Sequence, residues 1–184
     1  VRTDLEAILA YAVRRGFYVT LTTNGTLITP ARARLIAAIP SDRLHFNISL
    51  DGRRDSNDAV RGKGNWDRAI AGYRRLREAD SLAGNSRRKI LANTLLHAGN
   101  LDHFEAVLDE QESLGLDGVQ ILTLFRTGPD VPPEAAALWL RERHMARLEI
   151  LVERLARRSA SQSTSGFRIQ NTPDDLRKVP SYYR

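Results

Sequence analysis

Hydrophobic positions along the chain follow two spacings in turn, and this predicts a repeating order of helices and strands. Residues 3–15 carry apolar side chains at helical spacing, with Thr3 or Asp4 as the cap and Gly16 as the end. Residues 17–23 are β-branched and aromatic, which favours a strand. The same patterns predict further strands at 43–50, 89–96 and 118–125, and helices at 30–40, 65–76, 101–114 and 133–155. We expect Asn65 to cap the helix at 65–76.

The order of these elements predicts the fold class. Strands that alternate with helices every 25–35 residues are parallel strands joined by right-handed crossovers. Four such βα units fit either half of a doubly wound sheet or an arc of a barrel. A chain that opens on a helix, and whose first strand already ends in a ligand-type turn, favours the barrel. We therefore expect an α/β fold: an arc of a partial (β/α)6 TIM-like barrel with about four βα units.

Small polar residues follow the first two strands. Thr23 and Asn24 end the first strand before Gly25, and Ser49 and Asp51 end the second before Gly52. Each turn alone is more often structural, because Asn and Gly tolerate positive φ angles. Both clusters nevertheless fall at the carboxyl ends of neighbouring strands, where α/β folds bind ligands. Together the hydroxyl, amide and carboxylate groups suit a ribose or an amino-acid head group.

Arg61 lies ten residues after Asp51 and is flanked by Gly62 and Gly64. Its guanidinium has two open interpretations. It could form a bidentate pair of hydrogen bonds with a ligand carboxylate, or it could be an ordinary loop residue.

Composition excludes several classes of site. The chain has no cysteine, so it cannot itself supply disulfides, zinc thiolates or iron–sulfur ligands. Its four histidines do not have a metal-ligand spacing, and no Gly-x-Ser-x-Gly elbow is present. None of Lys63, Lys89 and Lys178 falls at a carboxyl strand end, which argues against an aldolase-type barrel. No Gly-x-Gly-x-x-Gly fingerprint indicates a dinucleotide site.

The net charge of +6 comes mostly from short arginine pairs dispersed along the chain. A nucleic-acid face would gather such residues together with aromatic side chains, so we interpret most of them as solvated helix faces. No apolar run approaches the roughly 20 residues that span a bilayer. We therefore expect no nucleic-acid or membrane partner and a cytoplasmic location.

Three motifs occur in order at a defined spacing, and together they resemble the radical S-adenosylmethionine (SAM) enzymes. The motifs are Thr22-Thr23-Asn24-Gly25-Thr26-Leu27, Ile48-Ser49-Leu50-Asp51-Gly52 and Asp58-x-x-Arg61-Gly62-x-Gly64. The nearest branch is that of molybdenum-cofactor enzymes, peptide maturases and sulfatase maturases. The segment 92–96 with Asn100 is similar to the fifth strand of that branch.

The resemblance implies a barrel that binds SAM and a [4Fe–4S] cluster. Reductive cleavage of SAM would give a 5′-deoxyadenosyl radical that modifies a peptide or a small-molecule cofactor precursor. Ser49 matches the SAM contact of the fourth barrel strand, and Arg61 matches an arginine that meets the methionyl carboxylate. Phe125 matches an apolar residue that packs on adenine, while Asn24 and Asp51 line the same cavity. The resemblance assigns no catalytic residue and no metal ligand.

The chain also departs from the family pattern. The cysteine loop and a Gly-Gly-Glu-Pro motif would both precede Val1, and the only methionine is Met145. We therefore expect a fragment that is inactive alone. Residues 1–158 would be strands three to six of the barrel, and residues 159–184 would lead to a missing C-terminal auxiliary domain. The alternative is a degenerate barrel that binds a ligand or peptide without redox chemistry.

Overall fold

The structure contains five strands in one sheet. The computed structural model describes residues 2–40, 42–85, 87–124, 136–161 and 166–183. The strands are β1 (Val19–Thr23), β2 (Leu44–Ser49), β3 (Ile90–Leu96), β4 (Gly118–Thr123) and β5 (Arg168–Ile169). They lie side by side in sequence order, and β1 with β2 and β4 with β5 are parallel pairs. The predicted parallel α/β fold is confirmed, with β5 as a further short strand.

Helices follow the strands in the predicted alternation. They are α1 (Leu5–Arg14), α2 (Pro30–Ala37), α3 (Arg54–Arg61), α4 (Asn65–Leu82), α5 (Phe104–Ser113), α6 (Met145–Ala160) and α7 (Pro173–Lys178). Short 3-10 helices occur at Leu101–His103, Glu142–His144 and Val179–Tyr182. Within the described residues, no helix is long and apolar enough to cross a membrane.

Two boundaries differ from the sequence prediction. The stretch before Gly62 is the helix α3 rather than a loop. The cap of α4 is Gly64, and Asn65 is the first helical residue. The predicted start of the last long helix at residue 133 lies outside the described residues, and within them that helix runs from Met145 to Ala160 after a 3-10 turn at Glu142–His144.

The chain divides into two compact units. The first unit contains residues 1–50 and 57–91, and the second contains residues 51–56 and 92–184. In the first unit, β2 buries Leu44, Phe46 and Ile48 completely, while the residues between them are only half-buried. Successive side chains of a strand point to opposite faces. One face of β2 therefore forms the core, and the other carries its polar side chains.

The core of the first unit also holds a buried cation. Arg88 is 1% exposed, although the sequence predicts that most of the short arginine pairs, such as Arg87-Arg88, are solvated. Its guanidinium donates hydrogen bonds to the carbonyl oxygens of Ile36, Ile39 and Leu44 at 2.9–3.1 Å. Arg88 is thus an exception to the interpretation of the arginine pairs as solvated helix faces.

In the second unit, a ladder of ion pairs joins α6 to α5 and the 3-10 turn before it. The pairs are Arg147–Asp102 at 2.8 Å, Arg154–Glu105 at 3.1 Å, and Arg158 with Asp109 at 2.7 Å and with Glu112 at 2.8 Å. Residue numbers rise together along both helices, so α5 and α6 run in the same direction. Of these arginines, Arg158 belongs to one of the short arginine pairs, and its side chain is partly exposed.

Candidate functional site

The turn after β1 is built around Asn24. Its side-chain oxygen accepts hydrogen bonds from the backbone N–H of Thr26 at 3.2 Å and from the Thr26 hydroxyl at 3.0 Å. The hydroxyl of Thr23 accepts a hydrogen bond from the N–H of Gly25 at 3.1 Å. These local contacts correspond to the structural interpretation of the Asn-Gly turn. A direct ligand role for Asn24 stays a prediction.

Glycines fix the position of this turn against α4. Gly25 has a φ of 73°, a conformation that favours glycine. A Cβ atom added to Gly72 would lie 2.1 Å from the carbonyl oxygen of Gly25. The turn therefore contacts the backbone of α4 directly, and this close approach requires a glycine at position 72.

The polar face of β2 carries Asn47 and Ser49. In the parallel register Thr22 lies beside Asn47, and Thr23 lies beside Ile48. The side-chain oxygen of Asn47 is buried and accepts no hydrogen bond from the described part of the chain. Sequence reasoning missed Asn47, although its position two residues before Ser49 on the same face was a usable signal.

Arg61 is the last residue of α3, and Asp58 fixes the loop that follows it. The carboxylate of Asp58 accepts hydrogen bonds from the N–H groups of Gly64 at 2.5 Å and Trp66 at 2.8 Å. Gly62 and Gly64 adopt φ angles of 94° and 71°, which let the chain turn back toward that carboxylate. The spacing of the third motif thus has a structural cause, because it ties the end of α3 to the start of α4.

The same contacts change the acidity of Asp58. The hydrogen bond from the Trp66 N–H lowers the pKa of the Asp58 carboxyl, and the bond from Gly64 adds to this effect against some opposition from desolvation. Asp58 is therefore a carboxylate at neutral pH and accepts both bonds at once. Arg61 itself is exposed at the end of this fixed segment.

In the second unit, Asp51 is hydrogen-bonded to the end of β3. It is 1% exposed, and its carboxylate accepts a hydrogen bond from the N–H of Leu95 at 3.0 Å. The amide of Asn100 donates to the carbonyl oxygens of Asp51 at 2.8 Å and of Leu95 at 2.7 Å. The observed role of Asp51 is structural, and its predicted place in a ligand cavity stays a prediction.

His97 lies in the loop after β3 and is 2% exposed. Its Nδ1 accepts a hydrogen bond from the N–H of Gly99 at 3.1 Å, so in the neutral ring Nε2 carries the proton. Burial lowers the pKa of this imidazole, while the charge of Asp51 acts in the opposite direction. Among the described residues, no group of three or more His, Cys, Asp or Glu side chains could hold a metal ion.

On β3, Asn93 is 8% exposed, and its buried side-chain oxygen has no hydrogen-bond partner among the described residues. The next residue, Thr94, accepts a hydrogen bond from Gln111 of α5 at 2.8 Å, so Asn93 points to the opposite face of the strand. Phe125 lies outside the described residues, and its predicted contact with adenine stays a prediction.

Two curated proteins are similar in sequence to part of this chain. The chain is 39% identical to the mycofactocin maturase MftC of Mycolicibacterium smegmatis in an alignment of 109 residues. This alignment covers 58% of this chain and 26% of that protein. The chain is 31% identical to the AdoMet-dependent heme synthase of Methanosarcina barkeri in an alignment of 129 residues, which covers 69% of this chain and 34% of that protein. This chain therefore spans about a quarter to a third of these curated relatives.

Among solved structures, the fold is similar to that of SuiB from Streptococcus suis bound to S-adenosylmethionine. The TM-score is 0.63 at 15% sequence identity, over 91% of this chain and 36% of that one. At this identity the likeness shows the fold alone. The model of the family described as the radical SAM superfamily matches residues 1–110, more than half of the sequence. The chain belongs to the radical SAM superfamily.

Proposed function

We propose that this chain forms the SAM-binding part of a radical SAM enzyme that modifies a peptide or a cofactor precursor. Membership of the superfamily supports the chemistry. The observation that carries the proposal for this chain is the polar face of β2, which ends at Ser49 and is followed by Arg61 at the fixed carboxyl end of α3. Two relatives support the two substrate classes, a PqqA peptide cyclase for a peptide and a heme synthase for a cofactor precursor.

The residues present fit SAM. The ligand carries a carboxylate, an ammonium group, ribose hydroxyls and an adenine. Arg61 offers a guanidinium for the carboxylate, and Ser49 offers a hydroxyl that can donate or accept a hydrogen bond. On the same face, the side-chain oxygen of Asn47 is buried and accepts no hydrogen bond from the described residues. It could accept one from a donor of the ligand. Bound SAM would supply the radical chemistry that the resemblance implies.

The residues present do not fit the [4Fe–4S] cluster of the family. Such clusters are held by cysteine thiolates, and the chain contains no cysteine. We therefore assign no cluster ligand to this chain and derive no step from the cluster. The work of the chain's own residues is to bind SAM and to fix its orientation.

Calorimetric titration of SAM into the intact protein that carries this chain tests the proposal. A charge-assisted hydrogen bond contributes roughly 1.5–3 kcal/mol. Arg61→Ala should therefore weaken SAM binding about ten- to hundred-fold. Ser49→Ala should weaken it less, because a neutral bond is lost. Arg54→Ala, at the other end of α3, removes the same charge and serves as the matched control with unchanged affinity.

The titration has two contrary outcomes. Equal affinities of the wild type and Arg61→Ala would remove Arg61 from the site. Absence of any SAM binding to the wild type would reject the proposal and favour the degenerate barrel that binds another ligand.

Iron and sulfide provide a separate test on the chain alone. Anaerobic reconstitution should give no broad absorbance near the ~400 nm region of cysteine-ligated clusters, because thiolates are the ligands such clusters require. A stable cluster on the isolated chain would show that other side chains bind the iron.

A further inference from the structure

We infer that Asn47 is a further ligand-binding residue, whose side-chain oxygen accepts a hydrogen bond from an O–H or N–H group of bound SAM. The inference rests on the proposed function and deepens it. Asn47 lies in the middle of β2, and no motif of the sequence includes it.

The first support is the state of the Asn47 oxygen. It is buried and accepts no hydrogen bond from the described part of the chain. A buried acceptor without a donor destabilises the folded state, and most buried polar groups in proteins are satisfied. A donor that arrives with a ligand would remove this unfavourable state.

The second support is the contrast with other amides of the same unit. The buried side chain of Asn57 donates to the side-chain oxygen of Asn65 at 3.2 Å. The side chain of Asn85 donates to the carbonyl oxygen of Ala37. The first unit therefore pairs these amides internally, whereas the oxygen of Asn47 stays unsatisfied.

The third support is the position of Asn47 relative to Ser49. The two residues are two apart on β2, so both side chains point to the same face, about 6.6 Å apart along the strand. SAM is longer than this separation and carries donors along its length: the ammonium group, two ribose hydroxyls and the adenine amino group. One SAM molecule can therefore contact both side chains.

Asn47→Leu tests the inference, because leucine keeps a similar shape and removes the polar atoms. In the intact protein, SAM affinity should fall about tenfold. The melting temperature of the ligand-free protein should stay the same or rise, because an unsatisfied buried acceptor has been removed. Thr20→Val is the matched control. It removes a hydroxyl from an exposed position on the neighbouring strand β1 and should leave SAM affinity unchanged.

A merely structural role makes the opposite prediction. Asn47→Leu would then lower the melting temperature and leave SAM affinity unchanged, which would overturn the inference. Should the leucine variant fail to fold, the side-chain amide signal of Asn47 in the wild type provides the readout by NMR. A shift of this signal on addition of SAM supports the inference, and an unmoved signal overturns it. Wild-type protein that does not bind SAM at all would reject the proposed function itself, an outcome distinct from an Asn47 variant that binds as well as the wild type.

Discussion

Arg88 and Asp80 form a buried ion pair in which Nε of the arginine lies 2.9 Å from both carboxylate oxygens. Their side chains are 0% and 3% exposed. The remaining N–H groups of Arg88 bind the carbonyl oxygens of Ile36, Ile39 and Leu44. One cation thus pairs with a buried carboxylate and donates hydrogen bonds to three carbonyl oxygens.

Replacement of Arg88 by alanine should destabilise the protein severely. The change removes the ion-pair partner of the buried Asp80 carboxylate and the hydrogen bonds to three carbonyl oxygens, and breaking a buried pair in this way costs about 3–5 kcal/mol. Urea unfolding measures the loss. The neighbouring Arg87 is exposed, so Arg87→Ala should change the free energy of unfolding by less than about 0.5 kcal/mol. Similar losses for the two variants would contradict the buried role of Arg88.

Asp58→Ala should weaken SAM binding without removing a group that touches SAM. The substitution frees the N–H groups of Gly64 and Trp66 and loosens the segment that follows Arg61. We expect a lower melting temperature together with a lower SAM affinity, measured by calorimetry. Asp55→Ala removes the same charge from an exposed position of α3 and should leave SAM affinity unchanged. Unaltered binding by Asp58→Ala would show that the position of Arg61 does not depend on this carboxylate.

Gly72→Ala tests the contact between the first turn and α4. Helix propensity alone predicts a gain, because alanine is about 1 kcal/mol better than glycine inside a helix. The added Cβ would lie 2.1 Å from the Gly25 carbonyl oxygen, so the turn or the helix must shift. Overpacking of this kind costs about 1–3 kcal/mol, and we therefore expect net destabilisation. A rise in the melting temperature would mean that the turn moves away at little cost.

His97 should make the free energy of unfolding depend on pH under acidic conditions. Because burial lowers the pKa of the folded imidazole, the unfolded chain binds more protons than the folded chain below the ordinary histidine pKa of about 6.5. The contribution of His97 to stability is complete above that value and decreases as the pH falls toward the lower folded pKa. Proton NMR of the imidazole should show a titration midpoint below the ordinary histidine value, and a midpoint at or above that value would contradict the prediction.

Sequence patterns predicted the sheet well because its strands have strong local signals. The alternation of buried and half-buried residues in β2 and the β-branched residues of β1 need no distant contact to be recognised. The helix α3 lacked such a signal, since it carries few apolar residues. Its carboxyl end is fixed by Asp58, whose bonds to Gly64 and Trp66 span six and eight residues.

The candidate site was less predictable than the fold. Ser49 and Arg61 could be named because they fall within motifs. Asn24 and Asp51 were named on the same basis, yet the structure engages both in hydrogen bonds within their own turns and strand ends. Whether a polar side chain is satisfied depends on partners that the sequence does not specify. The unsatisfied oxygen of Asn47 could therefore be found only in the structure.

The ladder of ion pairs between α5 and α6 has a consequence for how the two units respond to salt. Its arginines and acids are partly or largely exposed, and exposed charges are screened over about 10 Å at 0.1 M ionic strength. The Arg88–Asp80 pair is shielded from solvent and should be screened much less. Rising ionic strength should thus weaken the electrostatic attachment of α6 to α5 while it leaves the ion pair in the core of the first unit almost unchanged.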